Sequence, residues 1–502
     1  MVSLTTLPQF GRPLKRIALV ILCVLVCALS VGAVIAHHFW PYGEASVRSS
    51  LAESASANVR FGSFHERYFP PGCVAENVIF QRDNAGPPLI SIKRLIIRSN
   101  PGGILSGRVS VVRAEGMHVV LSRADFSETR ASDKQITVGK LVADGAVLEV
   151  HRKGGAQPLR FAFHKFQLEN LGGSGATRFA AEFENPMPAG LVRTSGQFGP
   201  WNSSDPAATV ASGKYSLENA DLAVFKSIAG KTSSDGDFKG TFKQMEIEGA
   251  TTTPEFEVTS THHKLPLQTH FSAAVNARNG ETILRRVKAS FGRDEIDAQG
   301  RIGHDLHGKR AAIIDLTCNR GRIEDTFYLF IHSPKSPLTG NVAFQMHVVI
   351  PSGPEHFLKK LELKSDFKIT DSRFTNPQTE SRVEKVSERP DQKQPEEGEL
   401  ATLKGQVTVR GGIAHFMELT AQDGNASAWF RGNYDLTDER VNMHGKLKTE
   451  ASLTKTTSGI KAVFAKAIEP LFKKGPHAKV IPVKISGTFH HPSFGLDMDS
   501  DM

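Results

Sequence analysis

Through the C-terminal part of the chain, apolar side chains recur at every second position. Val342, Phe344, Met346, Val348 and Ile350 alternate with Ala343, Gln345, His347 and Val349. Leu361, Leu363, Phe367 and Ile369 alternate with Lys360, Glu362, Lys364, Asp366 and Lys368. Val441, Met443 and Leu447 keep the rhythm, as do Ile481, Val483, Ile485 and Phe489. Successive side chains on a strand point to opposite faces, so this spacing predicts strands with one apolar and one wet face. Phe344, Met346, Val348, Leu361, Leu363, Phe367, Ile369, Val407 and Val409 are expected to share the inner face, with Lys360, Glu362, Lys364 and Lys368 in water. Farther back, Leu159, Phe161 and Phe163 take one parity and Phe166 and Leu168 the other, which predicts a bulge or turn near His164 and Lys165.

Glycines punctuate these strands. Gly240, Gly405, Gly445 and Gly487 fall in phase with the apolar residues around them, marking bends of a curved sheet or a close approach by another molecule. Short stretches repeat. Ala289, Gly292, Gly300 and Ile302 align with Ala421, Gly424, Gly432 and Tyr434, and Ala114-Glu115-Gly116 and Ala143-Asp144-Gly145 each sit between strand-like runs. Hairpins stacked in one direction make quasi-one-dimensional sheets.

One segment is of another kind. Ile17–Ala36 carries no charge, and a helix of that length matches a hydrocarbon core of about 30 Å. Its apolar residues Ile17, Leu19, Ile21, Leu22, Val24, Leu25, Val26, Leu29, Val31, Val34 and Ile35 are the expected membrane anchor, within a segment 17–40. Arg12, Lys15 and Arg16 precede it, and Trp40 and Tyr42 come after it, which puts residues 1–16 in the cytoplasm and the body across the membrane. The rival is a cleaved signal peptide ending at Ala36, but signal cores are shorter, about 7–15 residues. After the anchor, Val47, Leu51 and Ala55 predict a short helix over 44–57.

A body at 41–375 is followed by a charged, Pro-containing loop at 376–400 and a β module at 401–502. In that module residues 458–472 break the β rhythm. Ile460, Val463, Phe464, Ala467, Ile468 and Leu471 form one helical stripe, expected to cap the sheet or touch a membrane.

A chain of 502 residues exceeds one compact core. Its net charge of +9 is scattered, which suits work beside anionic lipid better than nucleic-acid binding. It holds 31 Phe against 5 Tyr and 3 Trp, the composition of a Phe-rich core or of a long apolar lining. Cys23 and Cys27 lie in the apolar segment; Cys73 and Cys318 are left as a disulfide or as two buried thiols. There is no GxSxG, HExxH, phosphate loop or dinucleotide fingerprint, hence no catalytic, cofactor-binding or metal-binding residue to name. The doublets His37-His38, His262-His263 and His490-His491 would point to opposite faces of a strand, the wrong geometry for chelating one ion.

Residues 59–80 and 90–123, the meanders at 282–302 and 402–434, and the closing hairpin at 480–497 resemble AsmA-like proteins of diderm bacteria. The resemblance implies an inner-membrane anchor, a mainly β fold in which repeated hairpins build an elongated, curved antiparallel sheet or groove in the periplasm, and a few short helices. It implies no cofactor and no enzyme activity. The partners it implies are phospholipid acyl chains, the inner membrane, and outer-membrane or envelope proteins. The expected function is phospholipid handling between inner and outer membrane; the alternative is a non-transporting scaffold for outer-membrane protein assembly. An acyl chain leaving a bilayer exposes about 0.8 kcal/mol of apolar surface per CH₂, a cost that a dry strand-built trough removes.

Overall fold

The computed structural model describes residues 40–497 apart from 83–87, 122–136, 152–156, 203, 277–278, 305–309, 332–335, 337, 354, 356, 375–400, 424–425, 450–478 and 489–490. The expected anchor, charged loop and C-terminal helical stripe therefore lie outside the described residues, Trp40 excepted. The described part is mainly β and divides into two compact units.

The first unit runs to Leu148 and includes Gln167–Gly173. Its elements are α1 (Glu44–Ala55), β1 (Asn58–Arg60), β2 (Ser63–Arg67), β3 (Gly72–Gln81), β4 (Ile90–Arg98), α2 (Pro101–Ser106), β5 (Arg108–Leu121), β6 (Thr137–Val142), most of β7 (Ala146–Val150) and the end of β8 (Leu159–Leu171). Helix α1 appears where Val47, Leu51 and Ala55 predict it; Val47 is buried, and Ser56 ends the helix in the left-handed region. Central β3 pairs antiparallel with β1, β2 and β4. Cys73, Val74 and Ala75 are all buried, so this strand is covered on both faces. The turn of helix between β4 and β5 starts where Asn100 Oδ1 accepts the Gly103 N–H at 2.6 Å.

One expectation fails here. The sheet is not wholly antiparallel, because β5 and β6 run parallel, with Val109 opposite Val138 and Val112 opposite Leu141. Parallel neighbours need a long return connection, and residues 122–136 supply its length. Ala114-Glu115-Gly116 also does not sit between two strands: it lies inside β5, where Gly116 has φ 62°.

The second unit comprises Glu149–Phe166 and the chain from Ser174 onward. Strands β9 (Thr177–Pro186), β10 (Ala189–Phe198), β11 (Val210–Asp221), β12 (Ile228–Ala229), β13 (Lys231–Thr241), β14 (Gln244–Val258), β15 (Lys264–Val275), β16 (Thr282–Phe291), β17 (Asp294–His304) and β18 (Arg310–Arg322) lead to helix α3 (Ile323–Phe330). Then come β19 (Leu338–Pro351), α4 (Phe357–Lys360), β20 (Glu362–Phe374), β21 (Ala401–Arg410), β22 (Ile413–Asp423), β23 (Ala426–Asp435), β24 (Arg440–Thr449), β25 (Lys479–Thr488) and β26 (Pro492–Leu496). Apart from the two-residue β12, which pairs with β14, each strand from β9 to β26 pairs antiparallel with the next, a single long meander. Strands β20 and β21, on either side of the charged segment, pair in register from Leu363 opposite Val409 to Ile369 opposite Leu403, and shift by one before Ser372 opposite Ala401.

Residues 289–302 run from the end of β16 into β17, and 421–434 hold the end of β22 and most of β23. Strand β8 passes His164 and Lys165 without a turn; these two residues are exposed in succession, which lets Phe163 and Phe166 meet with ring centroids 5.6 Å apart. Lys360 departs from expectation. It ends the one-turn helix α4, half-buried, with its ammonium donating to the Gly353 carbonyl, so the wet face of β20 begins only at Glu362.

Candidate functional site

Cross-strand register places the expected lining residues on one face. Val348 lies opposite Leu363 and Leu363 opposite Val409; Phe344 lies opposite Phe367; Met346 and Val407 flank Ser365; Ile369 lies between Val342 and Leu403. Leu361 precedes β20 and is buried. Glu362, Lys364 and Lys368 point the other way and are exposed. These positions divide by burial. Phe344, Val348, Leu361, Ile369 and Val409 are buried, whereas Met346, Leu363, Phe367 and Val407 are half-exposed.

The same face continues well beyond them. One row of directly opposed residues starts at Ala181 and passes Thr194, Tyr215, Gly236, Gly249, Phe271, Val287, Ala298 and Leu316 to Met346. It goes on through Ser365, Val407, Phe416, Gly432, Met443 and Ile485 to Phe494. The adjacent row runs from Phe179 through Phe238, Ile247, Leu284, Ile314 and Val348 to Tyr434 and Val441. Neither row holds a charged side chain at any strand. Phe238, Phe271, Leu284, Leu316 and Phe416 are half-buried, whereas a sealed core would bury such side chains fully.

Hydroxyls on this face are satisfied within it. Tyr215 Oη and Ser234 Oγ lie 3.1 Å apart and Ser234 donates to the Ala250 carbonyl; Thr251 and Thr269 pair at 2.6 Å; Ser365 donates to the Gln345 carbonyl at 3.1 Å. A satisfied hydroxyl costs an apolar surface little.

The in-phase glycines are part of this surface. A Cβ at Gly213 would stand 2.7 Å from the Phe238 ring, and one at Gly445 2.5 Å from the Phe430 ring. Aromatic rings thus lie over bare backbone on the neighbouring strand, which keeps the face apolar where side chains are missing. Phe179 and Phe238 come within 6.4 Å across two such glycine positions, Gly196 and Gly213.

Helix α3 closes one margin of the face. Ile323, Cys318, Leu338, Val342, Phe344 and Ile369 form one buried cluster, and Leu329 packs with Val258 and Phe291 in another. Its N-terminal end is held by Asp294, which is 1% exposed and accepts the Arg322 N–H at 2.5 Å and the Thr326 hydroxyl at 3.4 Å. Its C-terminal end is held by Thr261, whose hydroxyl donates to the Leu329 carbonyl at 2.8 Å, and by His263, whose ring stacks on Tyr328 at 4.3 Å. Burial pushes the Asp294 carboxyl up to about 6, with Asp325 and Glu324 adding to the rise against the two donors. Burial likewise pushes the Cys318 thiol to about 11 and the Cys73 thiol to about 12; both cysteines are unpaired.

Sequence reasoning missed α3 and the half of the face before β18. Both had a signal. Glu324 and Asp325 in the first turn, with Ile323 and Phe327 one turn apart, mark a helix start. In residues 211–217 the odd positions read Ala, Gly, Tyr, Leu, an alternation hidden because glycine stands in for an apolar side chain.

Among the described residues no three His, Cys, Asp or Glu side chains come together as a metal site. His262 pairs with Glu257 while His263 faces Tyr328, so that doublet diverges. No family model, curated protein or solved structure matches the chain.

Proposed function

We propose that this chain is a membrane-tethered β-protein whose uncharged face holds phospholipid acyl chains, handling phospholipid between inner and outer membrane as the AsmA-like resemblance implies. The observation that carries the reading is the unbroken uncharged row from Ala181 to Phe494, with half-exposed side chains along its length. Water in contact with such a row is displaced favourably by hydrocarbon, at about 25 cal/mol per Å². The absence of charge along it means that a sliding chain meets no fixed polar barrier.

The tether rests on Ile17–Ala36 and on the aromatic residues beyond it. The Trp40 ring lies 5.1 Å from Tyr68, and Tyr68 and Phe69 are exposed, Phe69 by 92%. An aromatic cluster just after an apolar span has the chemistry of a membrane interface.

The test is organic extraction of the purified full chain. Phospholipid is expected to co-purify, and Phe367→Asp is expected to lower its amount several-fold while the melting temperature holds. A lipid-free parent, or a variant that keeps its lipid, would refute the reading.

A further inference from the structure

The opposite, polar face of the meander carries cross-strand charge pairs at several places. Arg193 bridges Glu182 and Glu218, Lys214 meets Asp237 at 3.8 Å, Arg285 meets Glu246 at 3.0 Å, and His347 meets Asp315 at 2.7 Å. Where two acids oppose each other, Asp237 and Glu248, Lys214 is on the other side of Asp237. This is the ordinary way a solvated sheet face is arranged, since like charges directly opposed destabilise a strand pair.

The last strands break this pattern. Lys368 of β20 stands directly opposite Lys404 of β21. The row continues through Thr420 and Trp429 to Lys446 of β24, and Lys448 follows on the same side of β24, opposite Val480. All four lysines are exposed, and among the described residues none makes an ion pair or a side-chain hydrogen bond. Trp429 is 41% exposed and Val480 58%. Five strands at the usual spacing make this row about 20 Å long. The adjoining row holds Asp366, which accepts from Gln406, and Glu418, against Arg431 and Lys484, while His444 there is paired with Asp497 at 2.8 Å; none of these acids bonds to a lysine of the row.

We infer that this lysine–tryptophan row is a docking surface for the anionic headgroups of a bilayer. Unpaired lysines at a cost in sheet stability call for an anionic partner. An exposed indole and an exposed valine beside them call for one with an apolar layer under its charge, which a lipid surface has and a nucleic-acid backbone lacks. The site lies on the face away from the proposed acyl-chain surface and does not depend on that reading.

The test uses the full chain in neutral phosphatidylcholine nanodiscs, which accommodates an anchor, mixed with vesicles of phosphatidylcholine alone or with added phosphatidylglycerol. Flotation is expected to show at least about tenfold stronger capture by the phosphatidylglycerol vesicles at low salt, lost in high salt. It is expected to fall to the neutral-vesicle level in Lys368→Glu/Lys404→Glu/Lys446→Glu, and Trp429→Ser is expected to weaken capture without abolishing its salt dependence. A circular-dichroism melt checks that the variants remain folded. Equal capture by both vesicle types, or full capture of the triple variant, would overturn the inference. So would loss of duplex-DNA binding in the triple variant without any headgroup preference in the parent, an outcome that would assign the row to nucleic acid.

Discussion

Asp294 is where a single residue says most about how the second unit is held together. Its carboxyl is raised to about 6 by burial under α3, while an unfolded aspartate titrates near about 3.9. Between those values the folded chain keeps a proton that the unfolded chain has released, so stability falls as pH rises through that window. The penalty is absent below it and complete above it. Asp294→Asn does not titrate but keeps an acceptor for the Arg322 N–H. Its stability relative to the parent, measured by urea unfolding, should therefore climb from about pH 4 to about pH 6 and level off beyond. Phe344 and Phe367 make a second contrast. They face each other across β19 and β20, yet Phe344 is 9% exposed within the α3 cluster and Phe367 is half-exposed. Aspartate at Phe344 should unfold the region, because a buried carboxylate finds no partner there. Aspartate at Phe367 should be tolerated, and paired melts of the two variants check the difference. Lys404→Glu should raise stability by a few tenths of a kcal/mol in chemical denaturation, because it turns a like-charge pair with Lys368 into an opposite one.

Helix α3 is the element on which the margin of the meander depends. It packs on β14, β18 and β19, and its buried Leu329 fills the space between Val258 and Phe291. Leu329→Ala should cost roughly 2–4 kcal/mol, by lost transfer energy and the cavity left behind. Hydrogen exchange should locate the damage: faster exchange at β14 and β19 with little change at β24 and β25, since a meander passes strain only to its neighbours. The helix also explains why Cys318 stays unpaired and inert, since its thiol is buried against Asp294 and held neutral.

For the second unit as a whole, the meander makes nearly every strand pairing local in sequence. Such a stack gains stability as a sum of neighbouring interfaces. Its unfolding should depart from a single two-state transition, with fluorescence of Trp429, isolated by Trp40→Phe and Trp201→Phe, and far-ultraviolet dichroism giving different midpoints. Gly445→Val tests the paved face in the same experiment. The new Cβ would clash with the Trp429 carbonyl and stand 2.5 Å from the Phe430 ring, so overpacking should cost about 1–3 kcal/mol and move the Trp429 transition first.

Period-two alternation by itself determined that the described chain after the apolar segment is mainly strand, and which residues of β19 to β25 share a face, because strand side chains have only two directions to take. It read less well where glycine and hydroxyl residues occupy inner positions, as in β10, β11 and β13. There the face is apolar only because a ring from the next strand covers the gap, and sequence order does not record which strand is next. The parallel pairing of β5 with β6 and the burial of Asp294 under α3 were decided by tertiary structure alone. So was the division of the inner residues into buried and half-exposed. The physical reason is common to all of these: alternation says which way a side chain points, whereas the cover above it is set by elements far away in the chain.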